Sequence, residues 1–345
     1  MSRSKTILVT GGLGYIGSHT VVELMGRGFE VVIADNLSNS RPWILDNIAE
    51  ITGNYPIFYP YDLMDEKGIK QIFEKHQFDG CIHFAAYKAV GESQMQPLLY
   101  YQNNLSSLIC ILKQMQENNA DSFIFSSSCT VYGQAEIMPI VEETPLGKPE
   151  SVYGKTKLMG EEIVADFARL HGKKVSILRY FNPIGAHPSG LIGELPIGLP
   201  NNLLPYITQS LVQIRPKLQV FGGDYPTPDG TAIRDYIYVV DLAKAHILAL
   251  EKLWTEKANQ PHIDIYNIGT GKGLSVLDIV KKFEEAVGIP VPYSISARRP
   301  GDVTEVYADP AKAQKELKWT AESDLKEALR SAWKWQLYLK GKNKI

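Results

Sequence analysis

Tyr153 and Lys157 stand four residues apart in Tyr153-Gly154-Lys155-Thr156-Lys157, so on a helix they share one face. A free tyrosine titrates near ~10 and is a poor base at neutral pH, but a neighbouring ammonium favours its phenolate. Upstream, Ser126-Ser127-Ser128 close a strand-like run, and Ser128 is of the type that hydrogen-bonds a substrate hydroxyl and relays its proton to Tyr153. Tyrosines, lysines and serines at such spacings are common. The set acquires meaning only beside a cofactor site.

The N-terminus carries the signal for one. Gly11-Gly12-Leu13-Gly14-Tyr15-Ile16-Gly17 follow the first apolar run and open the first helix-like stretch. Small residues let the backbone turn sharply and approach a pyrophosphate, while the helix N-terminus supplies free N–H donors and a partial positive charge. A second strand-like run ends in Asp35, the context that this glycine pattern requires. A carboxylate there accepts hydrogen bonds from the adenine-ribose hydroxyls and repels a 2′-phosphate, which favours NAD over NADP. Asp62, expected to end the third strand, is placed to meet the adenine. The nicotinamide ring of NAD⁺ is then a second cation near Tyr153. Bringing a tyrosine from ~10 to ~7 asks for about 4 kcal/mol of differential stabilisation at about 1.36 kcal/mol per unit, within reach of two cations in a partly desolvated cleft. No metal is expected, because the seven histidines show no ligand spacing with acids or cysteines. His83 and His246 lie in apolar stretches and read as core residues.

The elements that must position these groups alternate along the first half. Strand-like runs are Thr6–Thr10, Glu30–Asp35, Ile57–Asp62, Gly80–Ala85, Ser122–Ser127 and Lys174–Tyr180; helix-like stretches are Ser18–Met25, Asp65–Lys75, Pro97–Glu117 and Tyr153–His171. Continuous apolar strands alternating with helices predict an α/β fold, a doubly wound parallel-sheet Rossmann domain with helices on both faces. From Pro183 proline, glycine and asparagine become frequent, which predicts a smaller, loop-rich α/β substrate-binding domain. The division expected is residues 1–182 for the NAD-binding domain, with 235–262 rejoining it, and 183–345 for the smaller region.

Composition narrows the partners. A chain of 345 residues with 44% hydrophobic and 21% charged residues is that of an ordinary globular protein of about two domains. Lys plus Arg number 36 against 38 Asp plus Glu, so no nucleic acid or anionic membrane is expected as partner. An anionic ligand must be held by a few placed arginines and backbone amides. No apolar run approaches the ~18–20 residues that span a bilayer. Met1-Ser2-Arg3-Ser4-Lys5 lead into only Ile7-Leu8-Val9 before the glycines, too short for a signal-peptide core. Three cysteines, Cys81, Cys110 and Cys129, fit a reducing compartment, and a cytoplasmic protein is expected.

The set Gly11–Gly17, Asp35, Ser128, Tyr153 and Lys157 resembles the extended short-chain dehydrogenase/reductase superfamily. More narrowly, the stretches His83 to Ser93, Ser126 to Gly133 and Arg179-Tyr180-Phe181-Asn182-Pro183 resemble UDP-glucose/UDP-galactose 4-epimerases. So do Phe221-Gly222, Asp224-Tyr225-Pro226-Thr227, Asp229-Gly230-Thr231, Arg234-Asp235-Tyr236-Ile237 and Arg298-Arg299-Pro300-Gly301-Asp302. The resemblance covers essentially the whole chain. It implies NAD contacts at Gly11, Gly14, Tyr15, Ile16, Gly17, Asp35, Asn36, Asn39, Asp62, Leu63, Phe84, Ala85, Lys88, Asn103, Tyr153, Lys157 and Tyr180. It implies UDP-hexose contacts at Ser128, Tyr153, Asn182, Asn202, Leu203, Phe221, Arg234, Tyr236, Arg299, Asp302 and Val306. Two arginines suit a diphosphate, which they bind by charge-assisted, fork-like hydrogen bonds. The implied reaction is a redox loop without net oxidation: Tyr153 removes the O4 proton, the C4 hydride passes to NAD⁺, and the 4-keto sugar turns over and takes it back on its other face. The resemblance also implies a homodimer packed through Pro97–Glu117 and Tyr153–His171.

Two departures stand out. Val306 falls where family members restricted to unacetylated sugars usually carry tyrosine, which predicts activity on UDP-N-acetylhexosamines as well. Ala86-Tyr87 replaces the more usual small-residue and leucine pair before Lys88. A nucleotide-sugar 4,6-dehydratase or decarboxylase on the same fold is the nearest alternative, and a non-catalytic NAD-sensing protein the next. The dehydratases carry an Asp-Glu pair after the catalytic hydroxyl residue where this chain has Cys129 and Thr130, and a sensor would have lost Tyr153 or Lys157.

Overall fold

The computed structural model describes residues 3–257, 260–299 and 302–344; Pro300 and Gly301 of the arginine-rich motif, and Met1 and Ser2, lie outside the described residues. The first half runs β1 (Thr6–Thr10), α1 (Tyr15–Gly26), β2 (Glu30–Ala34), α2 (Ile44–Thr52), β3 (Ile57–Tyr59), α3 (Glu66–Lys75), β4 (Gly80–His83), α4 (Val90–Met95), α5 (Pro97–Glu117), β5 (Ser122–Ser128), α6 (Val152–His171) and β6 (Lys174–Tyr180). The second half runs β7 (Asn182–Ile184), α7 (Leu203–Leu211), β8 (Leu218–Phe221), β9 (Ile233–Tyr238), α8 (Val239–Thr255), β10 (His262–Ile268), β11 (Gly273–Ser275), α9 (Val276–Val287), β12 (Tyr293–Ser296), β13 (Glu305–Val306), α10 (Ala311–Leu317) and α11 (Leu325–Gly341).

Seven parallel strands form the main sheet in the order β10-β6-β5-β4-β1-β2-β3. Side chains alternate across each strand, and both faces are apolar. Ile7, Val9, Val31 and Ile33 point into the layer that holds α1 and α8, whereas Leu8, Val32, Cys81 and Phe123 point into the layer of α3, α5 and α6. Strand order reverses between β1 and β4, the switch point at which open α/β sheets bind ligands beyond their carboxyl ends.

A four-stranded sheet is built around β9, with β7 and β13 parallel to it and β11 antiparallel; β8 and β12 form a separate parallel pair. Tyr180 ends β6 and Asn182 begins β7, so the chain passes from one sheet to the other within two residues. Of the stretch expected to return to the first domain, α8 packs on α1, β5 and β6 and β10 takes the edge beside β6. The strand β9 instead pairs within the second sheet while its Ile237 enters the core shared with α8.

The third strand is shorter than expected. β3 ends at Tyr59 because Pro60 lacks the N–H that a further ladder bond would need, and Asp62 lies in the turn beyond, its carboxylate accepting from Met64 N at 2.8 Å. Ser151 caps α6 by accepting from Gly154 N at 3.1 Å, which starts that helix one residue before Tyr153.

Candidate active site

The phosphate loop joins β1 to α1. Gly11 has φ +68°, and a Cβ there would lie 2.9 Å from the amide nitrogen of Ala85, on the segment after β4. A Cβ at Gly17 would overlap the carbonyl oxygen of Gly11. Helical bonding begins when Ser18 N donates to Gly14 O at 2.9 Å, so the amides of Tyr15, Ile16 and Gly17 precede the first intrahelical bond and are free as donors. These are the requirements of a dinucleotide cradle. Asp35 borders it, buried, its carboxylate accepting from Leu13 N at 3.0 Å, Leu37 N at 2.9 Å and Ser40 Oγ at 2.9 Å. The same side chain thus shapes the loop and leaves acceptor capacity for ribose hydroxyls.

The other residues read as cofactor-facing gather around this loop in part. Asn36 Nδ2 donates to Asp62 Oδ2 at 2.8 Å, and Leu63 is buried behind them. Phe84 packs against His246 with the rings tilted and their centroids 4.7 Å apart, and Ala85 closes over Gly11. Tyr15 donates its hydroxyl to Gly185 O at 2.7 Å. Asn103 donates to Asn104 at 3.0 Å, and Asn39 is exposed. His83 and His246 are core groups. Burial pushes their imidazoles down to about 3 and about 4, with Thr10 Oγ1 2.9 Å from the first and the Leu242 carbonyl 2.8 Å from the second.

Tyr153 and Lys157 rise from α6 toward the ends of β5 and β6. Lys157 Nζ donates to the Ser126 carbonyl at 2.6 Å, lies 5.1 Å from the Phe125 ring centroid and 5.9 Å from that of Tyr153. Burial lowers its ammonium to about 8, against the pull of Glu161 one helical turn further on. Burial raises the Tyr153 phenol well above its ordinary value, aided by nearby Tyr180, while a hydrogen bond with Ser128 works the other way. Ser128 and Tyr180 are register partners across β5 and β6, and Ser126 Oγ donates to Tyr180 Oη at 3.2 Å. The chain's own groups therefore favour the phenol, and a cationic ring is what the phenolate would need in addition to Lys157.

Beneath this pair lies a network that spacing alone does not disclose. Glu161 accepts from Ser127 Oγ at 2.5 Å and from Arg179 Nη2 at 2.6 Å, with both charged side chains buried. Arg179 Nη1 donates to Tyr132 Oη at 2.9 Å, which donates to Asn267 at 2.8 Å. The available signal was Glu161 at four residues from Lys157, on the same helix face as Tyr153.

The remaining residues come from the second half of the chain, some of them on the second sheet. Asn182 and Tyr236 are register partners in β7 and β9. Arg234 and Arg299 converge on Asp302, at 3.6 Å and 2.9 Å from its Oδ1. The Arg299 guanidinium stands 5.6 Å from the Phe221 ring centroid. Asn202 is the residue before α7 and Leu203 its first. Val306 pairs with Arg234 between β13 and β9 and packs in an apolar cluster with Val131, Tyr132 and Phe181, against Cys129. Buried Asp235 ties this wall together, accepting from Thr270 N at 2.8 Å, Gly271 N at 3.1 Å and Ala308 N at 3.2 Å.

The arrangement combines an amide cradle for an anionic dinucleotide, a buried phenol-ammonium pair and two arginines fit for a second diphosphate. A model of the NAD dependent epimerase/dehydratase family matches residues 7–269. The chain is 51% identical over 331 residues to a UDP-glucose 4-epimerase of Bacillus subtilis, covering 96% of each. It is similar to the crystal structure of UDP-glucose 4-epimerase from Bifidobacterium longum in complex with NAD+ and UDP, with TM-score 0.93, 45% identity and coverage of 99% of this chain and 100% of that one. The Stenotrophomonas maltophila UDP-glucose-4-epimerase with bound NAD and formylated UDP-arabinopyranose gives TM-score 0.94 at 45% identity, covering 98% and 99%. The chain belongs to the NAD dependent epimerase/dehydratase family and, within it, to the UDP-glucose 4-epimerases.

Proposed function

We propose that this chain interconverts UDP-galactose and UDP-glucose as an NAD-dependent UDP-glucose 4-epimerase. The observation that carries the reading is the buried Tyr153 beside Lys157 on α6, in a chain that also holds the glycine cradle and two arginines gathered on Asp302. NAD, when bound, supplies at C4 of the sugar a hydride acceptor that is also the donor on return. The cradle amides, Asp35 and the Asn36–Asp62 pair would hold it, with Lys88, Phe84, Ala85 and Tyr180 along its length.

Tyr153 accepts the proton of the sugar's C4 hydroxyl through Ser128 and returns it when the product forms. Lys157, lowered only to about 8, stays mostly protonated at neutral pH and stabilises the phenolate. Arg234 and Arg299 anchor the UDP diphosphate with Asn182, Asn202 and Leu203, and Phe221 and Tyr236 take the nucleoside. Binding energy is thus spent on UDP, which positions C4. A hexose that is held loosely leaves the 4-keto sugar free to turn over between proton removal and return.

Val306, with its small side chain in the apolar cluster of Val131 and Phe181, supports turnover of UDP-N-acetylhexosamines as well. Elimination is not supported by the two positions where dehydratases carry their acid and base: burial holds the Cys129 thiol up at about 12, and Thr130 is a neutral hydroxyl. We further propose that two copies pair through α5 and α6, where Leu98 and Leu170 are 80% and 79% exposed. Cys81, Cys110 and Cys129 are free thiols, which supports a reducing compartment such as the cytoplasm. Among the described residues no helix is long and apolar enough to cross a membrane.

The deciding experiment incubates purified protein, without added NAD, with UDP-galactose and separately with UDP-N-acetylgalactosamine, followed by chromatography. Conversion of the first to UDP-glucose establishes epimerisation with retained cofactor, and conversion of both establishes the wider pocket. No conversion even with NAD added would refute the assignment.

A further inference from the structure

Glu194 touches both banks of the cleft with one oxygen. Its Oε1 accepts from Lys88 Nζ at 3.0 Å and from Asn202 Nδ2 at 2.6 Å. Lys88 belongs to the cofactor bank: it follows β4, and its ammonium lies 5.9 Å from the ring centroid of Tyr15, the first residue of α1. Asn202 belongs to the other bank, immediately before α7. The root of Glu194 is fixed independently, since Trp335 of α11 donates its indole N–H to the Glu194 carbonyl at 2.9 Å. The glutamate side chain is only 11% exposed against 48% for Lys88.

We propose that Glu194 is a positioning residue, a clasp that couples Lys88 on the cofactor side to Asn202 on the nucleotide-sugar side. The proposal rests on the function argued above, in which each bank takes a diphosphate. A carboxylate between two diphosphates repels both unless it is neutralised. Lys88 neutralises it, and the same oxygen orients the amide of Asn202. Removing Lys88 leaves a largely desolvated charge unpaired, and the cost of an unpaired charge exceeds the worth of the pair. The influence of Lys88 on UDP binding therefore runs through Glu194. Without the carboxylate, Lys88 has no route to the substrate bank.

The test is calorimetric titration of UDP into the purified holoprotein, for wild type, Lys88→Ala, Glu194→Ala, Glu194→Gln and the Lys88→Ala/Glu194→Ala pair, with melting temperatures confirming that each folds. Lys88→Ala is expected to weaken UDP binding about five-fold, in the usual range of coupling between sites. In the Glu194→Ala background the same change should shift the dissociation constant less than about two-fold, the mark of non-additive partners. Glu194→Ala alone should weaken UDP binding about three-fold, with Glu194→Gln recovering most of it by keeping an acceptor for Asn202. An equal loss from Lys88→Ala in both backgrounds, or unchanged UDP binding by Glu194→Ala, overturns the clasp. A wild-type protein that binds no UDP overturns the functional reading, and the clasp with it.

Discussion

Arg179 and Glu161 are joined by three hydrogen bonds, Nε to Oε1 at 3.0 Å, Nε to Oε2 at 3.2 Å and Nη2 to Oε2 at 2.6 Å, with both side chains buried. The pair links β6 to α6 one helical turn below Lys157. Glu161 also receives the Ser127 hydroxyl, so the serine strand β5 and α6 share one carboxylate.

Breaking a buried ion pair from one side leaves the other charge uncompensated, at about 3–5 kcal/mol. Glu161→Gln is therefore expected to lower the free energy of unfolding by about 3 kcal/mol in denaturant titration, and the double change Glu161→Gln/Arg179→Met to recover part of it. A loss under about 1 kcal/mol for the single variant would mean that the pair does not tie the two elements.

Lys157 is buried with its ammonium lowered from 10.5 to about 8. Its folded-state value lies below its unfolded one, so between those two pH values the unfolded chain holds more protons at this site. Its contribution to stability then rises with pH across that window and is flat below it. Relative to Lys157→Met, whose other groups titrate alike, wild type is expected to gain about 2 kcal/mol between pH 8 and 9.5, at about 1.36 kcal/mol per pH unit. Parallel unfolding curves for the two proteins over that range would show that Lys157 titrates normally.

Part of the geometry of the candidate site was legible because it is local. The phosphate loop needs one strand, one turn and one helix, all within Thr6–Gly26. Tyr153 and Lys157 need only the period of a single helix. Arg234, Arg299 and Asp302 come from separated segments, so only the family resemblance points to them and only the tertiary fold brings them together. Glu194 had no local signal, because Lys88 lies 106 residues away and only tertiary packing brings them together. The placement of β9 was hidden for a related reason. A short strand followed by an apolar helix reads the same whichever sheet accepts it, and pairing with β7, fed directly from β6, decided the matter.

Tyr153 is the group proposed to move the proton, and Tyr153→Phe removes only its hydroxyl. The kcat for UDP-galactose should fall about 10²–10⁴-fold, the span of general acid–base catalysis. UDP affinity by calorimetry should stay within about two-fold of wild type, since the nucleotide is held on the other bank. A loss below about ten-fold in kcat would move the base elsewhere.

Gly17 and Gly26 both lie in α1, and they separate the cradle from the helix. A methyl at Gly17 collides with the Gly11 carbonyl and the Gly12 Cα, whereas one at Gly26 meets nothing within 4 Å. Gly17→Ala is expected to emerge from gel filtration with almost no NAD. Gly26→Ala should keep its cofactor and gain up to about 1 kcal/mol from helix propensity. Full NAD content in Gly17→Ala would show that the loop does not approach the cofactor closely.

Val306 sets the last expectation. Its side chain is 6% exposed, packed with Val131, Tyr132 and Phe181 beneath the β9 wall. A tyrosine ring cannot enter that cluster without overpacking, which costs about 1–3 kcal/mol, so it turns toward the sugar instead. Val306→Tyr is expected to retain UDP-galactose turnover within about five-fold while losing UDP-N-acetylgalactosamine turnover by about ten-fold or more, the scale on which a hydrophobic pocket discriminates by size. The comparison is the ratio of kcat/KM for the two substrates in one preparation. An unchanged ratio would mean that the acetamido group lies against another wall and that Val306 serves packing alone.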